Sequence, residues 1–337
     1  MTAAGPEQLH DLVRAVDAPD VVLALSRDGR RTVVTGGGAH RPASRREELR
    51  YEIGSASKTF TALLLADLAH RRAVHPGTPA VSCLPVTAPA DAHRDAVSLF
   101  HLMTHTSGLP RLPRDMYRHS LRHWRTNPYI HYPQPLLLDA FARSRPRSRP
   151  GTRWHYSNFA VALLGPALAH ATATPFEELM VAHVLAPLRL SGTALAPGGL
   201  LLDATGHDAA GRTPLPPFDA GAFAAAGAVR ATPGDLLGYL EAHLRPERQP
   251  ALREALLAVR QPLLRRGSGR QEAHTLGWFC HRTDSGPLLF HGGATMGQEV
   301  FLGYKPDTGT ALAAIATRRY RRVSTLQPTA YELLRSL

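Results

Sequence analysis

The sequence predicts an α+β protein: a mostly antiparallel sheet, covered by helices and interrupted by an inserted, mainly helical region. A β-hairpin pattern stands near the start of the chain, and a series of β-like runs stands near its end. Between them the chain consists of Pro-punctuated loops and helices. Because 337 residues suffice for one large buried core, we expect a single folded unit over residues 1–337.

The N-terminal part of the sheet is predicted from hydrophobic periodicity and turn residues. An amphipathic helix precedes two β-like runs joined by an Asp-Gly turn, and a short strand then leads into a helix rich in Leu and Ala. In chain order, the predicted segments are the helix Glu7–Val16, the strands Val21–Ala24, Arg31–Thr35 and Leu49–Ile53, and the helix Lys58–Leu68. Ser55 therefore stands at a strand-to-helix junction.

The rest of the chain divides into a helical region and a second set of strands. Residues 75–224 are expected to be mainly helical, whereas residues 1–74 and 225–337 together are expected to hold the sheet. The clearest predicted helices are Asn158–His170, Pro175–Val184, Pro233–His243, Ala251–Val259 and Pro328–Leu334, and the predicted strands are Thr275–His281, Leu288–His291, Glu299–Tyr304 and Ala311–Ala316.

The basic charge of the chain comes almost entirely from arginine. The formal net charge is +12, and among the 39 basic residues only Lys58 and Lys305 are lysines. Arginine keeps its proton, whereas lysine becomes a neutral base when its surroundings lower its pKa, so each lysine calls for a chemical explanation. The charge favours an acidic partner. Zinc-finger spacing, aromatic RNA-binding motifs and basic helices with heptads are all absent from the sequence, so we predict no nucleic-acid binding.

Other features of the sequence bear on location. The first twenty residues lack the basic start and apolar core of a secretory signal, and no apolar run reaches the roughly 20 residues that a transmembrane helix needs. Cys83 and Cys280 lie far apart, which favours two thiols over a disulfide and excludes a zinc site built mainly on cysteine. We therefore predict a soluble, cytoplasmic protein with no membrane partner. The sequence does not indicate its oligomeric state.

Ser55 and Lys58 form the first motif that indicates chemistry. Residues three apart in the first turn of a helix share a face, so the Lys58 amine comes within reach of the Ser55 hydroxyl. A hydroxyl becomes a nucleophile when a base takes its proton, and a helix N-terminus stabilises the negative charge that develops there. With 16 serines and two lysines, roughly 0.1 such pairs are expected by chance. The alternative is an N-capping serine followed by a solvated lysine.

Two further motifs carry residue types suited to acyl transfer. In Tyr156–Asn158 (Tyr-Ser-Asn), a tyrosine whose pKa is lowered by a neighbouring ammonium could shuttle a proton, and the asparagine amide could hold a lysine or a substrate amide. The alternative is a core tyrosine beside an N-capping asparagine. In His291–Ala294 (His-Gly-Gly-Ala), paired glycines let a ligand approach and exposed amides can face an oxyanion. The alternative is a Gly-rich hairpin turn.

Together, in this order and at these separations, the three motifs resemble those of the serine penicillin-recognising hydrolases, most closely the class C β-lactamase-like branch. The supporting stretches are His101–Pro110, Pro150–Trp154, Gly206–Asp208 and Ala226–Thr232, so the resemblance covers nearly the whole chain. That branch includes D-Ala-D-Ala carboxypeptidases, carboxylesterases, D-amino-acid amidases and some transacylases. The resemblance implies a β-lactamase/transpeptidase-like fold.

The resemblance also implies roles for individual residues. Ser55 is expected to be the acylated nucleophile, with Lys58 and Tyr156 as the proton-transfer pair. The backbone amides of Ser55 and Ala294 are expected to form an oxyanion hole. The residues implied in substrate binding and oxyanion stabilisation are Asn158, His291, Gly293 and Ala294.

One departure from the family pattern bears on the substrate. Class C β-lactamases usually carry Lys-Thr-Gly where this chain has His291–Gly293, so a largely neutral imidazole stands where an ammonium would bind a β-lactam carboxylate. We therefore expect a serine hydrolase of carboxylesterase type that acts through an acyl-enzyme on Ser55, on an intracellular ester, amide or thioester. The alternatives are an acyltransferase of a biosynthetic pathway and a catalytically silent penicillin-binding-like module. No metal or organic cofactor is implied.

Two other patterns lead to separate hypotheses. His101 and His105 have the spacing of a helical zinc pair, but no glutamate follows His101 and no third ligand is evident, so turn or core positions are favoured. Arginines also recur between residues 111 and 153, at Arg111, Arg114, Arg118, Arg122, Arg125, Arg143, Arg145, Arg147 and Arg149. We expect this stretch to favour an anionic acyl donor, such as a coenzyme A or carrier-protein thioester, and the alternative is a solvated basic face.

Overall fold

A computed structural model gives the fold and describes residues 6–38, 45–87, 89–124, 126–266 and 272–337. In these residues, helices pack on both faces of one large antiparallel sheet. The predicted α+β class, with a mostly antiparallel sheet covered by helices, is confirmed.

The described residues form twelve α-helices, which include all seven predicted ones with ends that agree to within a few residues. They are α1 Pro6–Ala15, α2 Ser57–His70, α3 Ala92–Asp95, α4 Leu99–Met103, α5 Met116–Ser120, α6 Gln134–Ala142, α7 Asn158–Thr172, α8 Phe176–Met180, α9 Ala224–Gly227, α10 Pro233–Leu244, α11 Arg253–Ala258 and α12 Leu326–Ser336. A one-turn 3-10 helix, Gly54–Ala56, stands directly before α2. A π-helical turn, Val181–Leu185, continues α8, so the predicted helix at Pro175–Val184 is formed by these two elements.

The strands form two sheets. They are β1 Val21–Arg27, β2 Arg30–Gly36, β3 Tyr51–Glu52, β4 Thr193–Ala194, β5 Arg230–Ala231, β6 Leu264–Arg266, β7 Glu272–His274, β8 Phe279–Thr283, β9 Gly286–Ala294, β10 Glu299–Lys305 and β11 Thr310–Ala316. The large sheet has the order β2-β1-β11-β10-β9-β8-β7-β6, and β3, β5 and β4 form a small one. The division of the chain into residues 1–74 plus 225–337 and residues 75–224 stays a prediction.

The centre of the large sheet is buried on both faces, which explains its apolar strands. Val21 of β1 pairs with Ala316 of β11 on one side and with Gly36 of β2 on the other. Every residue of β10 and β11 is buried. Alternate side chains face α1 and α12 on one side and α2 and α10 on the other, as the two-residue period of a strand requires.

The prediction of one strand over Thr275–His281 is wrong. Thr275–His281 is not continuous, because β7 ends at His274 and β8 begins at Phe279. Gly277 has a φ of +84°, and a Cβ atom there would lie 2.6 Å from the Cβ atom of Ala62 in α2. The chain therefore turns at Gly277 to pass close to α2, and only glycine permits both the conformation and the contact.

Two features bear on the expectations about membranes and cysteines. No single helix among the described residues is long and apolar enough to cross a membrane, and the bent pair Asn158–Thr172 and Phe176–Leu185 passes that test by length and composition only. Cys83 and Cys280 are both buried free thiols.

Candidate active site

Ser55 is held where the small sheet meets the end of strand β9. It lies in the 3-10 turn between β3 and α2 and is partly exposed. Gly54 before it has a φ of +49°, and a Cβ atom at Gly54 would lie 2.4 Å from the carbonyl oxygen of Ala294. A Cβ atom at Gly293 would lie 1.9 Å from the carbonyl oxygen of Ile53. These two glycines allow the turn that carries Ser55 to lie directly against Gly293 and Ala294.

Lys58 lies on α2 in the helical turn after Ser55, and its side chain is completely buried. Its Nζ atom donates a hydrogen bond to the carbonyl oxygen of Ala226 at 2.8 Å. Burial, followed by the positive charge of Arg111, lowers the pKa of Lys58 from 10.5 to about 7. A large fraction of this lysine is therefore neutral at physiological pH and available as a base. The alternative of a solvated lysine is wrong.

Tyr156 contacts both Ser55 and Lys58. Its ring centroid is 5.2 Å from Nζ of Lys58, and its side chain is hydrogen bonded to that of Ser55. The expectation of a lowered pKa for Tyr156 is wrong: burial raises its pKa, although the hydrogen bond with Ser55 and the charge of Arg111 oppose this shift. The phenol is therefore protonated at neutral pH, and it can pass a proton along but cannot act as a resident phenolate base.

His105 positions the segment that carries Tyr156, a role that the sequence did not indicate. The ring centroids of His105 and Tyr156 lie 4.5 Å apart. Nδ1 of His105 accepts a hydrogen bond from the backbone N–H of Ser157 at 3.2 Å, and its carbonyl oxygen accepts one from the N–H of His155 at 2.8 Å. Burial, with the nearby charge of Lys58, lowers the pKa of His105 well below its ordinary value, so the ring is neutral.

His101 and His105 make separate structural contacts, and among the described residues no group of three or more His, Cys, Asp or Glu side chains is placed to hold a metal ion. His101 instead belongs to a capping box at the start of α4. Its Nδ1 accepts a hydrogen bond from the N–H of Ser98, and its own N–H donates to the hydroxyl of Ser98. His105 is buried, as expected for a core position, whereas His101 lies half-buried within α4.

Asn158 is the first residue of α7, and its carboxamide faces the cavity at Ser55. Ser157, not Asn158, caps the helix, because its hydroxyl accepts a hydrogen bond from the N–H of Ala160 at 2.9 Å. The Asn158 side chain is hydrogen bonded to the phenol of Tyr129. Among the described residues, nothing hydrogen bonds to the buried Oδ1 atom of Asn158. That oxygen can accept a hydrogen bond from a substrate N–H or O–H group.

His291 lies on β9, so the alternative of a hairpin turn at His291–Ala294 is wrong. Its Nδ1 atom is 2.7 Å from the carbonyl oxygen of Gly292. Because a carbonyl oxygen only accepts, Nδ1 carries the proton and Nε2 keeps its lone pair. Burial, followed by the charge of Lys58, lowers the pKa of His291 to about 3. The imidazole therefore carries no positive charge at neutral pH.

One cavity of about 350 Å³ brings the predicted residues together, and we call it the Ser55 cavity. Ser55, Tyr156, Asn158, His291, Gly293 and Ala294 all line it, while Lys58 is buried behind them. Much of the remaining wall is apolar, formed by Tyr129, Phe218, Phe223, Phe279, Met296 and Tyr320. The size and the apolar wall suit a small acyl group.

Arg111 is the arginine of the basic stretch that reaches the Ser55 cavity. It is exposed, and its carbonyl oxygen accepts a hydrogen bond from the N–H of Phe159 at 3.1 Å. Its backbone therefore lies beside the start of α7, whereas His291 lies on β9. The cavity accordingly has a permanent cation on its helical side and a neutral ring on its strand side.

The fold and this arrangement define a serine hydrolase of the penicillin-recognising class. A family profile described as Beta-lactamase matches residues 9–335, so the chain belongs to the Beta-lactamase family. Among its curated relatives is a β-lactamase from Pseudomonas fluorescens, 26% identical over 93% of this chain and 92% of the relative. A β-lactamase from Yersinia enterocolitica is 23% identical over 98% of this chain and 89% of the relative. The Escherichia coli K12 D-alanyl-D-alanine-carboxypeptidase/endopeptidase AmpH is 26% identical over 64% of this chain and 55% of the relative.

Proposed function

We propose that the protein hydrolyses esters or thioesters through an acyl-enzyme on Ser55. The observation that carries this proposal is the position of Lys58, which is buried and has a pKa lowered to about 7. Lys58 lies one helical turn from Ser55 and contacts the ring of Tyr156, whose side chain is hydrogen bonded to Ser55. The nucleophile Ser55 and the relay Tyr156 thus line one small cavity, and the base Lys58 lies directly behind it.

Acylation begins when Oγ of Ser55 attacks the substrate carbonyl carbon. The proton of Oγ passes to the Tyr156 hydroxyl, which gives its own proton to neutral Lys58. The electron pair of the carbonyl double bond moves to oxygen, and the backbone amides of Ser55 and Ala294 stabilise that oxyanion. When the oxyanion collapses, the bond to the leaving group breaks, and the leaving group takes the proton back from Lys58 through Tyr156.

Deacylation repeats these steps with water as the nucleophile. Water attacks the acyl carbon, its proton passes through Tyr156 to Lys58, and collapse of the second intermediate releases the carboxylic acid and restores the Ser55 hydroxyl. If an alcohol or amine took the place of water, the same steps would transfer the acyl group. The acyltransferase alternative therefore differs from hydrolysis only in the acceptor.

The preference for esters or thioesters over β-lactams follows from His291. A neutral imidazole on β9 binds a carboxylate less strongly than an ammonium would. The cation of the cavity, Arg111, lies instead on the side formed by the start of α7. An anionic substrate would be drawn to that side, where a charged leaving group could leave toward solvent. The relatives named β-lactamase make β-lactams the competing substrate class.

The test is to incubate the protein with a fluorophosphonate and to measure its intact mass, and in parallel to measure turnover of a short-chain p-nitrophenyl ester. We expect one adduct per chain, located on Ser55 by peptide mapping, together with turnover. A protein that neither forms the adduct nor turns over the ester would be the silent binding module, and this proposal would be wrong.

A further inference from the structure

A second cavity, of about 720 Å³, lies beside the Ser55 cavity, and six of its fourteen lining residues are basic. We call it the arginine cavity. Its basic lining residues are Arg114, Arg118, His119, Arg143, Arg145 and Arg147, and Leu136, Ala140 and Phe159 contribute an apolar part. Arg125, which belongs to the same basic stretch of the sequence, lies outside the described residues.

The charges in this cavity are not balanced. Its carboxylates are Asp115 and Asp139, and both form ion pairs with Arg143. Asp115 also accepts a hydrogen bond from the hydroxyl of Tyr132 at 2.7 Å. The other four arginines of the cavity are exposed, and within the described part of the chain their guanidinium groups form no ion pair. The cavity therefore holds several guanidinium groups without an anion.

Two backbone segments contribute residues to both cavities. Phe159 lines the arginine cavity, while its neighbour Asn158 lines the Ser55 cavity. Arg111 lines the Ser55 cavity and Arg114 the other, and three residues span at most about 11 Å between Cα atoms. The N–H of Phe159 donates to the carbonyl oxygen of Arg111, so these two segments lie side by side.

We propose that the arginine cavity binds the phosphate groups of a small acyl donor of the coenzyme A type, whose acyl group enters the Ser55 cavity past Arg111. This inference rests on the proposed function, because it names the leaving group that Ser55 displaces. Guanidinium groups pair with phosphate oxygens through two parallel hydrogen bonds, and a concave, single-sign surface concentrates polyanions more than a flat one does. Attack of Ser55 breaks the C–S bond and releases the carrier as a thiol, which takes the proton from Lys58.

The first experiment measures binding without catalysis. Coenzyme A is titrated by calorimetry into a Ser55→Ala variant, with and without the additional changes Arg145→Gln and Arg147→Gln. We expect the double arginine change to raise Kd at least about tenfold, because it removes two partners of charged phosphate oxygens. Arg248→Gln with Arg282→Gln is the charge-matched control, since both arginines are exposed and neither lines either cavity.

The second experiment measures the contribution of the phosphates to turnover. The value of kcat/KM for an acyl-coenzyme A is divided by that for the matching N-acetylcysteamine thioester. We expect this ratio to exceed about ten in the wild type and to fall toward one in the Arg145→Gln/Arg147→Gln variant. In the control variant the ratio should stay as high as in the wild type. The two donors share the acyl group and the thioester, and they differ in the remainder of coenzyme A, which carries all of its phosphates. The Arg145→Gln/Arg147→Gln variant then separates the contribution of the phosphates from that of the neutral parts.

The outcomes separate this inference from the proposed function. Absence of coenzyme A binding to the Ser55→Ala variant, or equal weakening by the control variant, would overturn the inference. A wild-type ratio near one would do the same, even with rapid hydrolysis of the N-acetylcysteamine thioester. Binding of coenzyme A that depends on Arg145 and Arg147, in a protein that hydrolyses neither thioester nor the p-nitrophenyl ester, would support the cavity and refute the hydrolase. Turnover of the same acyl group only on an acidic carrier protein would also overturn the inference.

Discussion

Nζ of Lys58 donates a hydrogen bond to the carbonyl oxygen of Ala226 at 2.8 Å. Ala226 belongs to α9, 168 residues further along the chain, and lines the Ser55 cavity. Because a carbonyl oxygen can only accept, this bond uses one N–H of the amine whether or not Lys58 is protonated. It directs the other N–H groups of the amine, and its lone pair when it is neutral, toward Tyr156. The helix that supplies the base and the segment that orients it therefore come from separate parts of the sequence.

The first prediction distinguishes two neighbouring serines. Ser55→Ala should reduce ester kcat by at least about 1000-fold and abolish fluorophosphonate labelling, because it removes the attacking oxygen. Ser57→Ala is the control: the Ser57 hydroxyl accepts a hydrogen bond from the N–H of Val229 at 3.0 Å, so its loss should lower thermal stability while labelling persists. Labelling of the Ser55 variant at the wild-type rate would refute the assignment.

The second prediction is that Lys58→Arg is nearly as damaging as Lys58→Ala. Arginine keeps the positive charge but cannot lose its proton, whereas the buried amine of Lys58 can. We expect kcat to fall by about 100-fold or more in both variants, measured with a p-nitrophenyl ester. If Lys58→Arg kept half of the wild-type kcat, Lys58 would serve only as a fixed charge.

The third prediction concerns pH. Because the folded-state pKa of Lys58 is about 7, kcat/KM for a neutral ester should rise with pH through about 7 and then level off. In the unfolded chain this lysine stays protonated up to about pH 10. Between about pH 7 and pH 10, unfolding therefore takes up a proton, and the free energy of unfolding of the wild type rises with pH. Urea unfolding should show this rise in the wild type relative to Lys58→Met. Parallel stability curves for the two proteins between pH 7 and 10 would contradict it.

The fourth prediction concerns substrate choice. At one pH near 7, kcat/KM for a short-chain p-nitrophenyl ester should exceed that for nitrocefin by at least about tenfold. The reason is that His291 offers no positive charge to the carboxylate of a β-lactam. Some slow acylation of Ser55 by the β-lactam is still expected. A higher kcat/KM for nitrocefin would instead identify a β-lactamase.

The fifth prediction tests His105 as a positioning residue. His105→Phe should keep the ring packing on Tyr156 but lose the acceptor for the N–H of Ser157, and kcat should fall about ten- to hundredfold with little change in KM. His105→Asn should recover part of this loss, because asparagine offers an acceptor and tolerates the φ of +59° found there. Equal kcat losses in both variants, matched by equal losses in thermal stability, would indicate a purely structural role.

The local parts of the site were predictable from the sequence, and the parts formed through space were not. The spacing of Ser55 and Lys58 on one helix is a property of four consecutive residues. His105 belongs to a stretch that supports the family resemblance, and Arg111 belongs to the basic stretch, but their contacts with Tyr156 and Phe159 join segments far apart in the sequence and carry no local signal. The predicted direction of the Tyr156 pKa shift was wrong for a related reason. The shift depends mainly on burial, and a sequence motif does not show how deeply a side chain is buried.

The fold was predictable where a single local sequence pattern, such as an apolar run or a turn dipeptide, determined the element. β10 and β11 are long apolar runs, and the Asp28-Gly29 hairpin carries its turn signal in two residues with positive φ. Thr275–His281 failed because its apolar and aromatic residues satisfy a strand pattern on either side of Gly277. The close approach to Ala62 that breaks the strand is a long-range contact.

Gly54 lies against the backbone of Ala294, and Gly293 lies against the backbone of Ile53. The spacing between Ser55 and β9 is therefore set by contacts between backbones. No rotamer change can widen or narrow that gap, and any larger residue at either position would force two backbones apart. Variation in substrate range is therefore expected to arise at the apolar wall around Phe218 and Phe279 and at the entrance beside Arg111. Laboratory selection for new acyl groups should accumulate changes in those places and leave both glycines untouched.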